Sequence, residues 1–414
     1  MQLFRARQLS AGAFAVIILL CTFLPLFGQS LYVLNSQSRT LSRIDLNSDQ
    51  VENSFAMLGN VPNKLVVGEE HLWVINSGDN AVQKLSRESG ASLSQILVAP
   101  GSNPWDGVLD GTDLYVSGLF SGKVYRIDTL SGSVTGSLSV GTAPEGMLII
   151  GNRLYVANAG NYAANYAGSS VAVVDLESFS LITTIPVSAN PQYLAEVNGK
   201  VHVSCTGNWT DISGKICIID CNTNSVSETI EIGGTPGCLF MRGEELALVG
   251  DSSGEYLYSY DPLSYELYHG AADPIPNGGS EIVGTDSFLA VLRPNWSANG
   301  TVRILHPDLS PWKEYTVAMM PTDMKLGFAA TSSDDQVAVP AVLNAYPNPV
   351  ACGSTLSFDR GAKGMDEIRL YNLRGQEIAR TSRGKDSIAI PKDLPHGVYF
   401  YRSGSYSGKV LVSD

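Results

Sequence analysis

Residues 114–151 read LYVSGLFSGKVYRIDTLSGSVTGSLSVGTAPEGMLIIG, and the parsing of this stretch decides the fold. It opens on an apolar-aromatic-apolar run, LYVSG. A second run, KVYRI, alternates apolar and amphipathic side chains with the period of two that a strand imposes. Asp128 closes that run before a turn rich in Ser and Gly. A third run, SVTGSLSVG, follows, and a proline-led fourth, PEGMLII, stops at Gly151.

The same four-part pattern occurs seven times. Its openings are Leu31 (LYVLN), Leu72 (LWVIN), Leu114, Leu154 (LYVAN), Val201 (VHVSC), Leu246 (LALVG) and Phe288 (FLAVL), with successive starts 41, 42, 40, 47, 45 and 42 residues apart. Four short strands at such a period are the signature of a propeller blade. One twisted four-stranded sheet cannot bury both of its faces, whereas blades stacked around an axis cover one another and a closed ring leaves no sheet bare. Recurrent Gly, Asn and β-branched residues exclude a helical solenoid of similar period. The predicted fold class is all-β, a seven-bladed β-propeller followed by a small Ig-like β-sandwich. Because the chain enters at Leu31 with the second strand of blade one, the proline-led segment PTDMKLGF at 321–328 is expected to return and complete that blade. Blade six (246–284) departs most from the pattern, with Asn277 standing for the usual proline.

LYVANAG (154–160) and VAVVDLESFSLITTIPVSANP (171–191) resemble the YVTN family of surface-layer-type propeller repeats. The resemblance covers Leu31 to Phe328 and implies the seven-bladed ring. Relatives of that kind include envelope proteins, and related rings include lyases and lactonases.

The ends of the chain carry addresses. Arg5 and Arg7 precede an apolar stretch that runs to Gly28, the layout of a secretory signal peptide, expected over 1–28 with cleavage near Gly28. The propeller is expected over 29–330 and a polar, Pro-bearing linker over 331–343. Residues 344–414 lack the blade pattern. There AYPNP (345–349), IRLYNLRGQEI (368–378), LPHGVYFYR (394–402) and GKVLV (408–412) resemble, in order, the landmarks of the type IX secretion sorting domain (type A). That resemblance implies a β-sandwich tail recognised by an outer-membrane export machine, with Pro347, Asn348, Pro349, Gly375, Gly397 and Tyr399 as its motif residues. It also implies a mature protein secreted or held at the outer cell surface by way of the periplasm. From the residues alone, Gly375 and Gly397 fall at tight turns, and Tyr399 and Tyr401 alternate with Val398 and Phe400 along a strand.

Composition narrows the function. The chain has 414 residues, 16% of them charged, 41 Gly and a net charge of −13. Such an acidic balance without a Lys/Arg stripe argues against a nucleic-acid partner. The five cysteines after Cys21 (Cys205, Cys217, Cys221, Cys238 and Cys352) form no CxxC pair, and their pairing stays open. His71, His202, His269, His306 and His396 share no repeat position and read as surface or strand residues. No GxSxG, HExxH, P-loop or dinucleotide motif is present, so no catalytic residue, metal ligand or cofactor is assigned. Asp45, Asp128, Asp175, Asp220 and Asp261 recur at strand ends, where an Asp side chain accepts from backbone amides of the following turn, and they read as structural.

Two groups of residues are candidates for ligand binding. Residues just after the crossing prolines begin the innermost strands and should ring the channel mouth: Trp105, Asp106, Glu145 and Gln192, with Asn63 and Thr322. The loops GNYAANYAG (160–168), GNWTDISG (207–214) and PNWSANG (294–300) carry Tyr162, Tyr166, Trp209 and Trp296 toward the same face. Rigid exposed aromatics offer contact area at little ordering cost. NWT, NWS and NGT within and beside these loops match glycosylation acceptors and read as loop composition. The expectation is a non-enzymatic binding or scaffold module for a glycan, a peptide or an envelope partner. The alternatives are a structural surface-layer component and a lyase- or lactonase-type enzyme at the channel mouth.

Overall fold

The computed structural model describes residues 29–328, 345–358, 368–372, 377–381, 387–403 and 406–413. The expected signal peptide and linker lie outside the described residues, as does Gly375. The chain divides into two compact units, Met1–Ala330 and Thr331–Asp414.

The first unit is a ring of seven antiparallel sheets. From the axis outward, blade two runs Pro62–Val67, His71–Asn76, Ala81–Ser86 and Ser92–Leu97, and the other blades repeat this order. The innermost strands of blades three to seven are Pro104–Asp110, Pro144–Ile150, Pro191–Val197, Pro236–Arg242 and Glu281–Thr285. Pro321–Phe328 is the innermost strand of blade one. It pairs antiparallel with Gln29–Asn35, Leu31 facing Leu326 and Val33 facing Met324, so the end of the ring completes its beginning. Each innermost strand neighbours the next, and the last neighbours the first, so the ring is closed.

Period-two alternation builds the core between blades. In blade four, Leu154 and Val156 turn toward Tyr115 and Val124 of blade three, while Tyr155 between them turns toward Val201 and Val203 of blade five. At the seam, Leu31, Val33, Ile44 and Met324 of blade one pack on Phe288, Ala290 and Val302 of blade seven. Blade six is irregular in its outer part: Leu267–His269 is short, and Ile275–Pro276 adds a third partner for Tyr256–Tyr260, which also pairs with Leu246–Asp251. Asn277 proves not to occupy the proline position. It lies in a loop at φ +66°, and Glu281 holds the register position, opposite Leu292, that proline holds elsewhere.

The repeated aspartates build turns. Asp45, Asp128, Asp220 and Asp261 accept from the amide two residues on at 2.8–2.9 Å, and Asp175 accepts from Ser178 N at 2.8 Å. His202 is a strand residue but wholly buried, its Nδ1 2.8 Å from the Tyr260 hydroxyl, and burial depresses its pKa to about 4.

The second unit is a β-sandwich. A three-stranded sheet (Ala345–Tyr346, Thr355–Phe358, Ser387–Ala389) and a five-stranded sheet (Val350–Ala351, Tyr406–Ser413, Gly397–Ser403, Arg369–Tyr371, Glu377–Arg380) share a core that includes Leu356, Phe358, Ile388, Leu370 and Val410. Tyr399 and Tyr401 point into it while Val398 and Phe400 are exposed. The Tyr399 hydroxyl donates to Pro395 O at 2.7 Å, and the Asn348 side chain ties the Pro347–Pro349 segment to Lys409 O and Leu411 N.

Met324 is fully buried at the seam, so Met324→Ala should lower the unfolding free energy by about 2–5 kcal/mol. Urea denaturation of the full chain checks this. A loss below about 0.5 kcal/mol would mean that the closing strand contributes little to the ring.

Candidate functional site at the channel mouth

Five of the seven blade-to-blade crossings end in a repeated backbone device. Val61, Asn103, Ala143, Asn190 and Met320, each immediately before a proline, adopt φ between +48° and +60°. Such left-handed geometry costs about 1–3 kcal/mol at a non-glycine residue and persists only where its surroundings enforce it. Here each carbonyl turns to accept the amide that opens a blade's second-strand hairpin loop: Ser77 N, Leu119 N, Ala159 N, Thr206 N and Ser36 N, at 2.9–3.0 Å. The loops and the crossings therefore share one face of the ring. A β-bulge follows the proline in six of the seven innermost strands, and bulges re-aim side chains.

These strand starts converge on a cavity of about 480 Å³ lined by residues from every blade, including Trp105, Asp106, Glu145 and Gln192. Asn63 and Thr322 line it too. A charge network unforeseen in the sequence stands there. The Lys64 ammonium lies 3.0 Å from Glu281 Oε1 and 3.4 Å from Asp323 Oδ1, and Lys325 lies 2.8 Å from the same Asp323 oxygen. The other Asp323 oxygen accepts the Leu65 amide at 2.7 Å, the Tyr193 hydroxyl donates to Glu281 at 3.0 Å, and Lys64 lies 4.9 Å from the Tyr193 ring centroid. Burial opposes charge on Lys64, but Asp323 and Glu281 outweigh it and hold its pKa well above the ordinary lysine range. Asp323, fully buried, is likewise kept below the usual carboxylate range by Lys325 and Lys64 against the pull of desolvation.

Asp106 and Glu145 stand apart from this quartet. Asp106 accepts from Gly107 N at 2.8 Å and from Met147 N at 3.1 Å, yet burial still raises its pKa. The Glu145 side chain, 8% exposed, has no hydrogen-bond partner among the described residues. Desolvation, with the Asp106 charge adding to it and Lys64 opposing, pushes its pKa to about 8. Among the described residues no three His, Cys, Asp or Glu side chains gather to hold a metal ion. All five described cysteines are free thiols, with Cys205 and Cys217 Sγ 3.9 Å apart.

The aromatic loops divide. Tyr162, 75% exposed, meets Tyr166 edge-on at 5.6 Å, and Tyr166 meets Trp209 at 6.0 Å, forming an arc across blades four and five. Tyr166 is the buried middle of this arc, and the Glu145 charge reaches it and adds to the burial that pushes its phenol up to about 12. Trp296 is 70% exposed on blade seven and takes no part in the arc. The likeness among these loops has a structural origin: Asn161, Asn208 and Asn295 each accept from following amides through Oδ1 and so nucleate the turn. The two asparagines of NWT and NWS are thus turn-building residues.

Three residues that the sequence reading passed over, Lys64, Tyr193 and Cys238, had a readable signal: like Asp106 and Asp323 they stand two places after a crossing proline, and all five line the cavity or join its network. Glu281 had none, because blade seven lacks the proline.

Residues 344–412 match the family model described as the Secretion system C-terminal sorting domain. The chain thus carries a type IX sorting tail and is an exported protein, directed to the outer surface or beyond it. No helix among the described residues is long and apolar enough to cross a membrane. No curated protein matches the chain in sequence. Among solved structures, apo AztD from Citrobacter koseri is 14% identical, with a TM-score of 0.47, over 72% of this chain and 98% of that one. BamB from Moraxella catarrhalis is 15% identical, with a TM-score of 0.47, over 64% and 79%. The dihydro-heme d1 dehydrogenase NirN in complex with DHE is 12% identical, with a TM-score of 0.49, over 72% and 74%. These likenesses carry no activity to the present chain.

An acid whose pKa is raised on folding keeps its proton in the folded state while the unfolded chain loses it. Stability should therefore fall between roughly pH 5 and the Glu145 midpoint near 8, by up to about 1.4 kcal/mol per pH unit, and level off above it. Glu145→Gln mimics the protonated side chain and should flatten that slope. Its melting temperature relative to wild type should rise steadily from pH 5 to pH 8. Parallel curves would contradict the assignment.

Proposed function

We propose that this exported propeller is a non-enzymatic binding module whose partner, a surface glycan, peptide or envelope protein, seats at the channel mouth against the Tyr162–Trp209 arc. The observation that carries this reading is the cavity itself. Its volume lies in the range of ligand pockets, its lining comes from all seven blades, and buried polar groups converge inside it beside Trp105. A rigid closed ring holds these groups at little conformational cost, which favours recognition.

The cavity chemistry favours binding over catalysis. General acid–base or nucleophilic work needs groups tuned near the working pH and paired with a second group. Lys64 and Tyr193 are both held well above their ordinary pKa, the one by its carboxylates and the other chiefly by burial. Glu145 is tuned, yet no hydrogen bond joins its carboxyl to a nucleophile or second acid among the described residues.

Glycan and peptide arrays probed with the exported protein test the reading. The expected result is a discrete ligand class whose binding weakens at least tenfold in Trp105→Ala and in Trp209→Ala, with melting behaviour unchanged. Binding indifferent to both substitutions, or no ligand at all, would contradict it.

A further inference from the structure

We infer that the channel mouth takes a cationic group, a guanidinium or ammonium on a slender chain, between the Asp106 and Glu145 carboxyls and the Trp105 ring. The inference rests on the binding-module reading and names the chemistry of its ligand.

Charge balance carries the argument. Lys64 and Lys325 are satisfied by Glu281 and Asp323, with Asp323 shared between them, so that quartet is neutral. Asp106 and Glu145 then remain without a cation of their own. Asp106 has two backbone amides, and Glu145 has no hydrogen-bond partner among the described residues although it is more than nine-tenths buried and lines the cavity. A buried carboxyl without a partner is costly, and a positively charged group arriving through the cavity would relieve that cost. An anion would meet the surplus negative charge and two lysines already engaged. Half-buried Trp105 lines the same cavity, and an indole ring is the side chain that attracts a cation, guanidinium above all, most strongly.

Size sets a further limit: about 480 Å³ admits a side chain or a small polyamine but no folded domain. The groups that face Glu145 are Asp106 and Lys64 from blades three and two and Tyr166 from its own blade's loop. Lys325, Glu281, Tyr193 and Cys238 complete the titratable lining of the cavity. A cation there favours ionised Glu145, so binding displaces its proton.

Calorimetry on the exported full chain tests this with acetyl-arginine amide, its neutral isostere acetyl-citrulline amide, and spermidine. The arginine probe, whose charge is constant across the range, should bind more tightly by up to about tenfold per pH unit from pH 6 to pH 8 and plateau above. About one proton should be released at pH 7. Preference for spermidine would point to a free polyamine, and preference for the arginine probe to a basic side chain of a peptide or protein. Glu145→Gln should weaken the arginine probe at least tenfold at pH 8 and abolish its pH dependence, and Asp106→Asn should weaken it without abolishing that dependence. Equal binding of the citrulline probe, a flat wild-type pH profile, or no binding of either cation at millimolar concentration would overturn the inference. If array ligands still depended on Trp105 and Trp209 in that case, the binding-module reading would stand and the cationic ligand alone would fall.

Discussion

The antiparallel pairing of Pro321–Phe328 with Gln29–Asn35 is the contact on which the rest of the molecule depends. It closes the ring, and closure removes the two exposed sheet faces that an open stack of blades would leave. It also delivers Asp323 and Lys325 to the axis. Asp323 accepts the Leu65 amide of blade two and bonds Lys64, which reaches across to Glu281 of blade seven. Three blades on either side of the seam are therefore joined by one buried ionic cluster. Charge pairs of this kind add little net stability compared with apolar packing, but breaking one partner out of them is costly. Their effect is to fix the register of the seam and to leave the channel mouth polar.

Once the lysines are paired, the remainder of the mouth is acidic and incompletely satisfied. Proteins bury unpaired carboxyls rarely, and they do so mostly where function uses the resulting strain or perturbed pKa. The strained residues before the prolines point to the same place. Their left-handed backbones hold the hairpin loops over the crossings and so keep the aromatic arc of blades four and five beside the cavity. The sorting tail directs the protein to the outer surface or beyond it.

Much of this was legible in the sequence, because a blade is a local pattern repeated. The period near 42, the alternation in KVYRI, the Asp-led turns and the orphan segment 321–328 each follow from short-range chemistry, and each is found in the ring. The cavity's rim was half legible. Trp105, Asp106, Glu145 and Gln192 stand next to crossing prolines and do converge. Lys64 did not stand out, because its partners Glu281 and Asp323 lie 217 and 259 positions away, and Lys325 pairs locally with an Asp323 that only ring closure brings to Lys64. Glu281 was hidden by the loss of the proline marker in blade seven. Trp296 shared a loop motif with Trp209, but the motif encodes an Asn-capped turn, and the blade on which it sits decides what the tryptophan meets.

The account turns on Glu145 being a buried carboxyl that waits for a cation. A carbon-13 titration of the Glu145 side chain in the full chain measures that directly. The account predicts a midpoint near pH 8, falling when acetyl-arginine amide is added. A midpoint close to the ordinary glutamate value, about 4.3, unmoved by the probe, would contradict it.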